Sequence, residues 1–139
     1  MKRRALTVTS ALTALLTLCA TAQAAAPTAR TSCATTGATG SATWTWDSRT
    51  KISGIALRVK DTAADGNHVA VRLATQDPDF NLHYRPWHHA YGGQGTAETW
   101  HTYFTDTRGI FGASISVVVK DGDTSLYSCF ARVAYNPHY

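Results

Sequence analysis

A two-residue alternation of apolar and polar side chains recurs along this chain after residue 41. In residues 43–46 it puts two indoles on one face of an extended strand and two hydroxyls on the other. The same period recurs at 55–60, 69–76, 99–105, 114–119 and 127–135. Turns rich in Gly, Pro and Asp separate these segments, and none of them has the apolar period of a helix.

This pattern predicts an all-β fold, a small antiparallel β-sandwich of about seven strands that spans residues 42–139. A small closed barrel is the alternative. The clearest hairpin joins residues 55–60 to 69–75 through a turn that contains Gly66. Residues 25–41 are small, polar and aperiodic, so we expect them to form a flexible, extended N-terminal arm.

Residues 1–24 have the order of a secretory signal peptide. A basic start is followed by an uncharged run of Ala, Leu, Thr and Val, and then by small residues at Ala22 and Ala24. The run is too short and too rich in Thr for a membrane anchor, and lipidation at Cys19 is a weaker alternative because Leu18 precedes it. We therefore expect a secreted, extracellular protein that has no membrane segment after cleavage.

Cleavage of this signal changes the charge and the cysteine count. The full chain has 13 Lys and Arg against nine Asp and Glu, and the signal holds three of the basic residues, which leaves ten against nine. The remaining cations are scattered singly, so no nucleic-acid interface is expected. Two cysteines remain, Cys33 and Cys129, and an even count in an exported protein predicts one disulfide between them.

Aromatic and basic residues are most concentrated at 83–89. Binding surfaces are enriched in such side chains, so we predict a partner-binding surface made of Tyr84, Arg85, Trp87, His88 and His89. An exposed strand without a binding role is the alternative. Adjacent His88 and His89 point to opposite faces of a strand and cannot ligate one metal together, so we expect neither a metal nor a cofactor.

The candidates for other functions are fewer. Trp44, Trp46, Trp87 and Trp100 either fill the core or stack on sugars, and the second reading predicts a carbohydrate- or cell-wall-binding module. Nucleophile and phosphate-loop motifs are absent, so we expect no enzyme. The enzymatic alternative is a small hydrolase that uses Glu98 or an Asp with His88 or His101, and a protease inhibitor is a further alternative.

The segments at 59–73 and 99–100, with the closing stretch at 129–137, resemble small secreted β-sandwich proteins of actinobacteria. One group of these is the adaptor subunit of umbrella toxin particles. The resemblance implies a non-enzymatic adaptor that joins a lectin-like subunit to a large repeat-containing toxin in bacterial competition. It also implies that the N-terminal arm inserts into a partner cleft, with Pro27, Thr28, Arg30 and Thr31 as contact residues.

Overall fold

The computed structural model describes residues 23–139, so the predicted signal peptide lies outside the described part except for its last two residues. The described chain forms β-strands joined by turns, and it contains no helix that is long and apolar enough to cross a membrane. The strands are β1 (Thr28–Thr35), β2 (Ala38–Trp46), β3 (Lys51–Asp61), β4 (His68–Gln76), β5 (Leu82–Tyr84), β6 (His88–Ala90), β7 (Ala97–Thr105), β8 (Gly112–Asp121), β9 (Thr124–Phe130) and β10 (Ala134–Tyr135).

The strands form two antiparallel sheets. The first sheet has the order β1-β2-β3-β7, and the second has β8 and β4 at its centre. β9 and β10 pair with successive stretches of β8, while β5 and β6 pair with successive stretches of β4. The antiparallel all-β sandwich is therefore confirmed and the closed barrel is wrong. The strand number exceeds seven because strands of two or three residues are too short to show an alternation.

The core lies between the sheets, where β2 faces β8 and β3 faces β4. Every second residue of these central strands is apolar and buried, as expected for a sheet that has one face in the core and the other exposed to solvent. Trp44 and Trp46 are each only 2% exposed. Their rings meet edge to face with centroids 5.6 Å apart. These two indoles are core residues, so the sugar-stacking alternative is wrong for them.

The flexible N-terminal arm is the first correction. Residues 28–35 form β1, which pairs with β2 along its whole length, and β2 runs through the predicted domain boundary at residue 42. Gly37 makes the tight turn between the two strands with a φ of +84°. β1 is an edge strand whose inward residues are Ala29, Thr31 and Cys33. Such small or polar side chains give no apolar alternation, which is why the sequence pattern indicated a loop.

The predicted hairpin between residues 55–60 and 69–75 is the second correction. The first of these segments lies in β3, which pairs with β2 and β7, whereas the second lies in β4, which pairs with β8. The link between them carries the chain from one sheet to the other, and the Thr62 amide donates to the Gly37 carbonyl on the way. The two strands face each other across the core because each is a central strand of its own sheet.

The predicted disulfide is confirmed. Cys33 in β1 and Cys129 in β9 are bonded, with their Cα atoms 6.1 Å apart. The bridge joins an edge of the first sheet to an edge of the second and closes a loop of 96 residues. Structural disulfides are typical of oxidising compartments outside the cytosol.

Candidate functional site

The outer face of the second sheet carries a continuous row of large side chains. Strand pairing places Leu82 beside Gln76, Tyr84 beside Ala74 and His89 beside Ala70. Two outward residues of β4, Ala70 and Ala74, are small and are covered by the neighbouring large side chains. We call this surface the aromatic face and define it by Arg72 together with these members: His68, Phe80, Leu82, Tyr84, Trp87, His89, Tyr91, Phe111, Phe130 and Tyr135.

Arg72 holds the centre of the aromatic face. Its guanidinium carbon lies 4.0 Å from the ring centroid of Tyr84 and 4.2 Å from that of Trp87. Cation–π contacts of this kind are worth about 0.5–2 kcal/mol each. Desolvation by burial lowers the pKa of Arg72, whereas Tyr84 acts in the opposite direction. The Nε atom of Arg72 is buried and has no hydrogen-bond partner, so the two rings fix this side chain without neutralising it.

Two rings around this centre are fixed and yet accessible. Tyr84 packs edge to face against Phe130, with ring centroids 6.4 Å apart. The two residues remain 47% and 43% exposed. Large side chains that are held in one position lose little entropy when they bind, which is why they serve as anchors at interfaces. The geometry therefore suits recognition of a partner surface.

A histidine pair lies at one end of the aromatic face. The Nε2 atom of His68 is 3.1 Å from Nδ1 of His89, and the Tyr91 ring stacks on His89 with centroids 6.0 Å apart. Burial lowers the pKa of His89, and the nearby positive charges of His68, Lys120 and His88 lower it further, against a smaller effect of Asp123. The lowered pKa of His89 favours its neutral ring, which can form the hydrogen bond with His68.

A tight turn at the opposite end presents Phe80. The Oδ1 atom of Asp77 accepts hydrogen bonds from the amides of Asp79 and Asn81, both at 2.9 Å, and its Oδ2 lies 2.8 Å from Nε2 of His83. The hydrogen bond from His83 is the main reason why the pKa of Asp77 falls to about 2. This turn holds Phe80 at a φ of +66°, with its ring against Phe111 at 5.1 Å.

The predicted surface at residues 83–89 is divided between two places. Tyr84, Trp87 and His89 point outward and belong to the aromatic face. Arg85 and His88 point to the opposite side, toward the edge of the sandwich where β7 approaches β6. The five residues therefore do not share one face, because alternation along β5 and β6 separates them, and their role in partner binding stays a prediction.

Arg85 and His88 border a cleft between the two sheets, which we call the edge cleft. Its volume is about 270 Å³, and its lining includes Leu57, Leu73, Arg85, His88, Thr102 and Phe104. The guanidinium of Arg85 lies 4.1 Å from the centroid of Phe104, and the ring of His88 stacks on Trp100 with centroids 5.2 Å apart. These two stacked pairs flank an apolar floor formed by Leu57 and Leu73.

The contact residues predicted in the N-terminal arm belong to the sandwich. The Pro27 carbonyl accepts the Trp46 amide, Thr28 pairs with Thr45, and Arg30 is exposed on the outer face of the first sheet. Thr31 is buried, and its hydroxyl donates to the Arg132 carbonyl at 2.7 Å. The segment is therefore a paired edge strand and not a free arm, and its insertion into a partner cleft stays a prediction.

The residues proposed for a hydrolase do not converge. Glu98 and His101 lie three residues apart on β7 and so point to opposite faces, while His88 lies in the edge cleft. The carboxylate–imidazole contact found in residues 23–139 is that of Asp77 with His83, which the sequence reasoning missed and which supports a turn. In the same residues no group of three or more His, Cys, Asp or Glu is placed to hold a metal.

These features define the molecule as an all-β, disulfide-linked domain with an aromatic face on one sheet. No family model, no curated protein and no solved structure matches the chain.

Proposed function

We propose that this protein is a secreted, non-enzymatic protein-binding module and that the aromatic face binds its partner. The observation that carries the proposal is the set of half-exposed rings held around Arg72. Tyr, Trp, Phe and Arg are the residue types enriched in protein interfaces, and Tyr, Trp and Arg dominate their binding energy. A solvated surface without a partner rarely groups so many large apolar side chains.

Protein binding accounts for this face better than sugar binding does. Trp44 and Trp46 are buried, and Trp87 and Trp100 each have a ring face occupied, by Arg72 and His88 respectively. The exposed side chains of this face also include the aliphatic Leu82, which cannot stack on a sugar. Carbohydrate binding remains the competing outcome of the experiment described below.

The resemblance to the umbrella toxin adaptors supports a more specific proposal, that of an adaptor between a lectin-like subunit and a large repeat-containing toxin. An adaptor needs two surfaces that differ in chemistry. The outer face of the first sheet differs from the aromatic face, because it presents hydroxyl side chains and the cations Arg30, Arg58 and Lys60. Its outward positions in β1, β2, β3 and β7 include no carboxylate.

Affinity purification of the tagged protein from the culture fluid of the producing organism tests the proposal. The double variant Tyr84→Ser with Phe130→Ser removes two central rings, and Tyr103→Ser removes an exposed ring from the outer face of the first sheet as a control. We expect the unaltered protein and the control to co-purify with a stoichiometric protein partner. Truncation of interface anchors costs about 2 kcal/mol or more, so the double variant should bind at least ~10-fold more weakly.

Three results would contradict the proposal. The protein is recovered only as a lone monomer, the double variant retains its partner at full affinity, or the control variant loses it equally. Binding to insoluble polysaccharide with quenching of tryptophan fluorescence, in the absence of any protein partner, would favour the carbohydrate-binding alternative.

A further inference from the structure

The edge cleft is lined by a partly buried cation, Arg85, which forms no salt bridge among residues 23–139. The Nε atom of Arg85 is buried and has no hydrogen-bond partner. The nearby carboxylate of Asp106 is occupied, because Arg108 binds it through two hydrogen bonds of 3.1 and 2.8 Å. The terminal guanidinium nitrogens of Arg85 are not buried in this way, and a carboxylate in the cleft would give them the charged acceptor that they lack among residues 23–139.

The floor of the same cleft is apolar. Leu57 comes from β3 and Leu73 from β4, so the cleft reaches the inner faces of both sheets. The ring of Phe104 forms part of its wall and at the same time supports the guanidinium of Arg85. A ligand that fits this arrangement is apolar at one end and negatively charged at the other.

We propose that the edge cleft binds a small apolar carboxylate, with its tail against Leu57 and Leu73 and its carboxylate on Arg85. His88 and Thr102 lie in the lining as two further polar groups. The volume of about 270 Å³ is below the ~300 Å³ at which pockets for drug-sized ligands begin. A cleft of this size has room for a medium-length acyl chain.

Size and shape favour a free acid over a segment of a protein. The cleft has a volume of about 270 Å³, which suits a short ligand better than a folded protein segment. The aromatic face, in contrast, is broad and outward. The cleft faces the opposite side of β5 and β6 from that face, and its occupancy does not depend on the proposed protein partner.

Isothermal titration calorimetry with octanoate tests this inference. We expect octanoate to bind one site per chain, and octanol and octylamine, which share the tail but lack the carboxylate, to bind at least ~10-fold more weakly, as expected for loss of a hydrogen bond to a charged group. Arg85→Gln should weaken octanoate binding by a similar factor. Arg58→Gln, on the outer face of the first sheet, and the Tyr84→Ser with Phe130→Ser variant should leave it unchanged.

Amide chemical shifts of the unaltered protein provide a second measurement that does not depend on the folding of any variant. Octanoate should shift the amides of Leu57, Leu73 and Thr102 and leave those of β1 unchanged. The inference is overturned if octanoate shows no saturable binding, if octanol binds as well as octanoate, or if the shifts lie elsewhere. Binding of a peptide carboxyl terminus without binding of octanoate would also overturn it.

Discussion

Replacement of Gly40 by alanine should destabilise the sandwich, because β8 packs closely against β2 at this residue. A Cβ atom at Gly40 would lie 2.3 Å from Cγ2 of Val117 and 3.5 Å from Cδ1 of Ile115, whereas carbon atoms in contact are normally about 3.5–4.0 Å apart. Overpacking of a core costs about 1–3 kcal/mol. The lower entropy of the unfolded chain returns only about 0.4–1 kcal/mol, so the steric effect dominates.

The net loss should be roughly 1–2 kcal/mol, and a double-mutant cycle isolates its cause. Val117→Ala alone leaves a cavity and should cost about 2 kcal/mol. When the two changes are combined, the new methyl group enters that cavity, so the double variant should be more stable than the sum of the single effects by about 1–2 kcal/mol. This coupling distinguishes a steric clash from a change in backbone preference.

Urea denaturation followed by the fluorescence of the buried Trp44 and Trp46 measures each variant. Ser41→Ala, at the outward-facing neighbour of Gly40 in β2, is the matched control and should stay within about 0.5 kcal/mol of the unaltered protein. A steric clash is ruled out if Gly40→Ala is as stable as the unaltered protein, or if the effects of Gly40→Ala and Val117→Ala simply add.

Two further predictions concern the disulfide and the turn at Asp77. Cys33→Ser with Cys129→Ser opens a loop of 96 residues and should cost about 4–5 kcal/mol by the chain-entropy account; equal urea midpoints with and without the bridge would contradict this. The pKa of Asp77 is lowered from 3.8 to about 2, so its contribution to stability is present above about pH 4 and lost as the pH falls toward about 2. Asp77→Asn should remove that part of the pH profile of the urea midpoint, and identical profiles for the two proteins would disprove the assignment.

The strands were predictable where the core demands an alternation. Residues such as Trp44 and Trp46 must share a face because that face is buried, so the two-residue period indicates both the strand and its inner side. The period does not identify the neighbouring strand, which is why β3 and β4 were paired with each other rather than placed in opposite sheets. Edge strands bury few side chains. β1 was not predicted because its inward residues Ala29, Thr31 and Cys33 are small or polar and give no apolar alternation.

The sequence predicted where the candidate site lies, but it did not predict that its residues are divided between the aromatic face and the edge cleft. Residues 83–89 are unusually aromatic and basic, and their enrichment indicated a surface that binds something. Pro86 breaks the strand between β5 and β6, so the alternation resumes with a changed phase, and Arg85 and His88 share one side while Tyr84 and Trp87 share the other. Arg72 gave no signal, because it alternates normally in β4 and meets its two rings only in the folded chain.

The composition also conceals how the charge and the apolar surface are distributed. A sandwich gives each sheet one face for the core and one for solvent, so two outer faces can differ completely while sharing one core. Here the first sheet exposes hydroxyls and the cations Arg30, Arg58 and Lys60, and the second exposes the rings around Arg72. Since the two faces point in opposite directions and share no residues, a variant of one leaves the other intact, and each face of the proposed adaptor can be tested alone.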